Sequence, residues 1–219
     1  MNSRVQIVNR NLNPANRSMS AAETRIHEAA LRIFAERGVT HLTVSELAEA
    51  AGVARGTVYN NLGPTDALFE DIAARLADEM HKRVVMSFVE VADPAQRLAD
   101  GIRFFIRRAH EEPLWGRFII RFAFGNQALQ GMWTGPPAAD LREGLEQKRY
   151  RIDPDQLPSA LAMIAGATLS AMMLVLEGHR TWRAGGADAA EFVLRALGIA
   201  PREAKKIAST ELPPLPRLS

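Results

Sequence analysis

The 219-residue chain carries 27 Lys and Arg against 25 Asp and Glu, a formal charge of +2, so net charge alone argues for no nucleic-acid partner and any basic patch has to be local. It contains no cysteine, which excludes a disulfide framework, a thiolate nucleophile and cysteine-ligated metal. Hydrophobic residues at 47% and charged ones at 24% belong to a folded globular chain, of a length that suits one large domain or two unequal ones.

Residues 1–19 hold Arg4, Arg10 and Arg17, no acidic side chain, and no period that would bury a face, so they read as a flexible basic arm. They also lack the apolar stretch of a signal peptide, and the expected location is the cytoplasm. A helical pattern starts at Ala21: Ile26, Ala30, Ile33 and Phe34 share a face, and Gly38 stands where a left-handed C-cap residue is expected. Thr43-Val44-Ser45-Glu46 has the form of a capping box and opens a second helix, which Gly52 ends after Ala51. Val53 leads into a short third helix through Leu62, closed by Gly63-Pro64, and a long fourth helix follows with Leu68, Phe69, Ile72 and Leu76 as its apolar stripe.

Two short helices joined by a tight glycine turn form a helix-turn-helix pattern. Ala48 is small enough for a steep crossing, and Val44, Leu47, Val53, Val58 and Leu62 have the spacing to close a small core. That leaves Arg55, Gly56, Thr57, Tyr59, Asn60 and Asn61 on the surface of the third helix, the one that enters a major groove in such a motif. Arg55 suits guanine O6 and N7, Asn60 suits adenine N6 and N7, and Gly56 permits close backbone approach.

The run TVSELAEAAGVARGTVYNNLGPTDALFE, Thr43 to Glu70, resembles the N-terminal domain of TetR/AcrR transcriptional regulators. It combines the capped second helix, the Gly52-Val53 turn, the Arg55-Gly56-Thr57-x-Tyr59 helix and a Gly-x-x-Asp-x-Leu-Phe entry to the fourth helix. The resemblance implies that Thr43, Tyr59, Asn61 and Thr65 contact phosphates, setting register without reading sequence. Four positions depart from the family pattern: Ala54 replaces a common serine cap, Asn61 a frequent histidine, Leu62 a phenylalanine and Thr65 a phosphate-binding lysine. The missing lysine implies a salt dependence flatter by about one phosphate contact.

Beyond the fourth helix, Pro94, Pro113, Gly135-Pro136-Pro137, Pro158, Gly185-Gly186 and Pro201 punctuate further helical segments. The expected fold is all-α: an arm over 1–19, a three-helix DNA-binding unit over 20–66, a helical sensing and dimerisation bundle over 67–210, and a Pro-rich tail over 211–219, extended or disordered. Aromatic residues cluster in the middle helices among arginines, and Phe105, Trp115, Phe118, Phe122 and Met163 are the expected lining of an effector pocket, with Arg121 or Arg117 facing an anionic group. Their competing reading is plain core packing with solvent-exposed ion pairs.

Gln156 to Leu176 holds no charged side chain and is long enough to span a bilayer. Pro158, Ser159, Thr168 and Ser170 oppose that reading. The better expectation is a helix buried on two sides. Ala162, Gly166 and Ser170 recur every four residues, with Met173 beyond them, and a second helix carries Ala190, Val193 and Leu194 on one face; together these are the expected dimer interface. His27, His41, His81, His110 and His179 show no metal-ligand spacing, and no nucleophile motif or phosphate-cradling loop appears, so neither metal, cofactor nor catalysis is expected. The sequence thus points to a homodimeric regulator that binds a palindromic operator and is released by a small apolar or anionic effector. Its rivals are a regulator controlled by a protein partner, and an enzyme that uses the motif as scaffold.

Overall fold

The computed structural model describes residues 19–62, 65–88 and 91–216; the arginine-bearing arm and the Gly63-Pro64 break lie outside them. Eleven α-helices and no strand occur among the described residues. They are α1 (Ala21–Arg37), α2 (Val44–Ala51), α3 (Arg55–Asn61), α4 (Leu68–Ser87), α5 (Pro94–Glu111), α6 (Pro113–Phe122), α7 (Gln127–Thr134), α8 (Pro136–Glu146), α9 (Leu157–Leu176), α10 (Trp182–Ala196) and α11 (Pro201–Ser209), with a 3₁₀ turn at Thr65–Ala67 before α4.

Local chemistry starts and stops the first helices. Ser20 with Glu23, and Thr43 with Glu46, form capping boxes at α1 and α2. Gly38 and Gly52 follow them at φ 71° and 63°, the left-handed conformation that costs a residue without a β-carbon least. α3 starts at Ala54 with no side-chain cap, so its stability rests on packing Val58 against its neighbours.

α5 is the axis of the bundle, packing against α6, α8, α9, α10 and α11, while α6 reaches back to α1 and α7 lies along α4. The segment Pro154–Leu176 is apolar enough to cross a membrane, with a mean hydropathy of 2.0. Its inner face, including Ile164, Thr168, Met172 and Val175, is buried against the bundle, and Ala162, Ser170 and Met173 are exposed on the other. The expected partner face on α10 is not available: Ala190, Val193 and Leu194 are all buried within their own protomer. Helical period showed that one face of α10 is apolar, and that face turns inward against α5 and α11.

The far end of α4 is held by charge. The Arg83 and Arg108 guanidinium groups are buried and share two carboxylates: Arg108 donates to Glu79 at 2.8 Å and Glu112 at 3.0 Å, and Arg83 to Glu79 at 3.2 Å and Glu112 at 3.1 Å. Arg108 also lies 4.5 Å from the Trp115 ring centre. The tail is extended and lies along α4: Arg83 Nε donates to the Pro216 carbonyl at 2.9 Å, the Ser87 hydroxyl donates to that of Pro214 at 3.3 Å, and Leu215 is buried.

Burial works against ionising Glu112, but Arg108 and Arg83 outweigh it and hold the carboxyl below the ordinary glutamate range. A lowered native pKa stabilises the fold above the ordinary range, and the contribution is lost as pH falls through the native value. Glu112→Gln is therefore expected to cost about 1 kcal/mol at neutral pH, a modest figure because Glu112 is partly solvated and Glu79 still pairs with both arginines. The deficit against the unaltered protein should shrink below about pH 4. Urea unfolding at several pH values measures both.

Candidate functional site

α2 and α3 meet across the Gly52 turn, where the Val53 amide bonds to the Ala48 carbonyl at 3.0 Å. Leu47, Ala48 and Val58 are buried beneath it, and Val44, Val53 and Leu62 are half-buried around them. The outer face of α3 presents Arg55, Gly56, Tyr59 and Asn60, with Tyr59 70% exposed. Thr57 is half-buried, and a β-carbon at Gly56 would meet nothing, leaving backbone open to a close approach. Arg55 takes part in no ion pair among the described residues. Thr43 is exposed at the start of α2 with its hydroxyl bonded to Glu46 at 2.7 Å, and Thr65 is half-buried in the 3₁₀ turn.

Asn61 does something the sequence did not suggest. Its amide nitrogen donates to the Thr57 carbonyl at 2.8 Å, and its oxygen accepts from the Ser20 hydroxyl at 2.9 Å. The side chain braces the end of α3 against the start of α1.

A cavity lies between α4, α5, α7, α8 and α9, walled by Met80, Val84, Leu98, Ile102, Phe105, Met132, Trp133 and Ile164, with Arg97, Asp140 and Thr168 as polar members and the exposed His81 at its rim. Its free volume is about 40 Å³, room for a few waters at roughly 10–15 Å³ each and well short of the ~150 Å³ that holds a benzene ring in an engineered cavity. Of the expected lining only Phe105 is there. Trp115 packs behind Phe105 with ring centres 5.7 Å apart. Phe118 and Phe122 do not line the cavity and pack instead on Phe69 and on each other, and Met163 sits half-buried on α9 outside the lining. Arg121 is exposed and donates to the Glu36 carbonyl at 3.3 Å, and Arg117 shares a shallow surface groove with it.

The cavity's polar groups went unread in the sequence because their pairing is tertiary. Arg97 Nε donates to Asp140 at 2.6 Å, its Nη2 pairs with Glu143, and its Nη1 donates to the Val91 and Ala92 carbonyls. Burial raises the Asp140 pKa despite Arg97. The Thr168 hydroxyl donates to the Ile164 carbonyl at 2.8 Å. Trp133 is 6% exposed and its indole Nε1 has no hydrogen-bond partner.

Two contacts join this cavity to the helix-turn-helix unit. Phe69, in the first turn of α4, is wedged among Phe34 of α1 and Phe118 and Phe122 of α6, at ring-centre distances of 5.2, 5.6 and 4.9 Å. Asn126 caps α7 through the Leu129 amide at 3.1 Å and donates to Glu70, also in the first turn of α4, at 2.8 Å.

The architecture is that of a known family. The family described as bacterial regulatory proteins, tetR family, matches residues 26–76, and a Tetracyclin repressor-like C-terminal domain matches residues 93–210. The chain belongs to the TetR family. It is accordingly a DNA-binding transcriptional regulator and not an enzyme. A stretch of 54 residues is 43% identical to the regulator AcrR of Shigella flexneri, covering 24% of this chain and 25% of AcrR. An uncharacterized HTH-type regulator of Mycobacterium tuberculosis is 30% identical over 97 residues, covering 44% of this chain and 48% of that protein. The chain thus spans about half or less of the length of these curated relatives. Among solved structures, RolR in complex with resorcinol is 26% identical with a TM-score of 0.62, covering 89% of this chain and 96% of RolR. FadR of Bacillus halodurans shares the fold at 17% identity and a TM-score of 0.65, covering 84% of this chain and all (100%) of that one.

Asn126→Ala removes both the α7 cap and the tie to Glu70. A loss of about 1–2 kcal/mol is expected, the range for deleting a capping side chain, read as a lower urea midpoint at unchanged m-value.

Proposed function

We propose that this regulator binds a palindromic operator as a homodimer and lets go when a small molecule occupies the cavity between α4, α5, α7, α8 and α9. The observation that carries the reading is the path of α4, which follows α3 in the chain, packs its first turn against α1 of the helix-turn-helix head through Phe69 and Phe34, and ends in the cavity wall with Met80 and Val84. An effector acts only through its preference for one conformer. Here that preference has a steric source, because a 40 Å³ cavity has to widen before it admits a ring. Trp133 and Met132 on α7 and Pro136 on α8 form part of the wall that would yield, and α7 is tied to the first turn of α4 through Asn126. RolR, crystallised with resorcinol, supports a small-molecule ligand over control by a protein partner. The anionic effector facing Arg117 or Arg121 finds no support, since neither arginine reaches the cavity. The site of action would be the cytoplasm, where the operator lies.

In the proposed complex Arg55 and Asn60 read base edges, Gly56 and Thr57 approach the groove, Tyr59, Thr43 and Thr65 contact phosphates, and Asn61 holds the helix that presents them. Asn60→Ala is expected to cost roughly 1–3 kcal/mol per half-site and to relax preference at one base pair. Tyr59→Phe is expected to weaken binding to all sequences alike. Fluorescence anisotropy on cognate and scrambled duplexes at fixed salt tells the two signatures apart; equal losses on both duplexes for both variants would contradict base reading by α3.

For the dimer, the open face of α9 offers Ala162, Gly166, Ser170 and Met173, and Phe192, 62% exposed, is the contribution we assign to α10. Two such protomers would set their recognition helices about 34–36 Å apart. A side chain at Gly166 meets nothing within its own protomer, so Gly166→Arg is expected to leave the protomer folded and to break the dimer by burying an unpaired charge. Light scattering during gel filtration reads the mass; a Gly166→Arg dimer at micromolar concentration would remove α9 from the interface.

A further inference from the structure

Resting on the reading of the cavity as the effector site, we propose that its ligand is a neutral, hydroxyl-bearing single ring of the phenol class, and that carboxylates and other anions are excluded. The charges carry the first step. Arg97 is the only arginine or lysine in the cavity lining and His81, the other basic side chain there, stands exposed at the rim; four of the five N–H groups of Arg97 are already given to Asp140, Glu143, Val91 and Ala92. One guanidinium shared by two carboxylates leaves a local charge of minus one, counted from those same three groups. An entering anion would meet that charge in a poorly solvated space where the one buried donor left free is the neutral indole N–H of Trp133.

The unmatched hydrogen-bonding groups carry the second step. Trp133 belongs to the wall and offers a buried N–H without an acceptor. Asp140 uses only Oδ1, so Oδ2 is an acceptor without a donor, and the burial that raises its pKa makes a donor there stabilising. Thr168 has given its hydrogen to Ile164 and keeps only lone pairs. The buried part of the wall, inside the exposed His81, therefore asks for a group that accepts once and donates once. A hydroxyl does both, a carboxylate only accepts, an ammonium only donates, and a hydrocarbon does neither. The rest of the lining is apolar, with the Phe105 and Trp133 rings packed at 5.0 Å and Met80 and Met132 able to rearrange around an aromatic face. The small volume selects a single ring over a long chain.

The test is isothermal titration of the full-length protein with phenol, benzoate, benzylamine and toluene, four single-ring probes that differ in one substituent. Phenol is expected to bind most tightly and benzoate not at all. Thr168→Val and Trp133→Phe should each weaken phenol by about threefold to tenfold, the size of one neutral hydrogen bond, and leave toluene within about twofold. Circular dichroism checks that both variants fold, and Thr168→Val stands as the milder change. Benzoate or benzylamine binding as tightly as phenol, or equal losses of phenol and toluene in both variants, would overturn the ligand class while keeping the cavity as a site. Failure of all four probes to bind at millimolar concentration would overturn the cavity reading itself, and the class with it.

Discussion

One helix has to satisfy two cores at once. α4 is 20 residues long, about 30 Å at 1.5 Å per residue. Its first turn, through Leu68 and Phe69, closes the head, and Met80 and Val84 three turns later close the cavity. A close-packed interior does not deform continuously. A change in the volume the cavity must enclose therefore displaces α4 or the helices packed on it, and the recognition surface is attached to the other end.

The two ends of α4 are fixed by different physics. At the far end, Arg83 and Arg108 hold α4 to α5 through shared carboxylates, and the tail adds backbone acceptors from Pro214 and Pro216. Removing any one partner there leaves a buried charge short of compensation, so the clamp is stiff. At the near end, Phe69 sits in an aromatic cluster whose contacts are non-directional, and Asn126 reaches Glu70 through one hydrogen bond. A push on α7 thus meets a rigid support behind it and a softer joint ahead.

The head was readable from sequence because its determinants are local. Thr43 and Glu46 stand three residues apart, Gly38 and Gly52 mark left-handed C-caps, and Val58 is an apolar residue between the polar Thr57 and Tyr59, so each inference spans less than one turn. The cavity was not readable, because aromatic residues of one kind serve two purposes: Phe105 and Trp133 line it, while Phe118 and Phe122 pack against α1 and α4. Its polar centre joins Arg97 to Asp140 across 43 residues, a pairing no periodicity reports. α10 failed for a related reason. A helical stripe at Ala190, Val193 and Leu194 says that a face is apolar without saying what covers it, whereas small residues at Ala162 and Gly166 of α9 did remain on the open face. The resemblance implies a phosphate contact for Asn61, and its bracing role was not readable because its partner Ser20 lies 41 residues away.

Control of the recognition helices by the volume of the cavity can be tested without any effector. Gly101 of α5 lines the cavity, and a β-carbon there meets nothing within 4 Å, so Gly101→Leu places an apolar side chain into the space a ligand would take and removes a glycine from a helix interior. The measurement is operator affinity by fluorescence anisotropy at fixed salt. The expected outcome is a folded variant whose affinity falls by a factor in the usual range of allosteric coupling, roughly 5- to 150-fold, although no residue of α3 has changed. A folded Gly101→Leu protein that binds the operator as tightly as the unaltered chain would contradict control by the cavity.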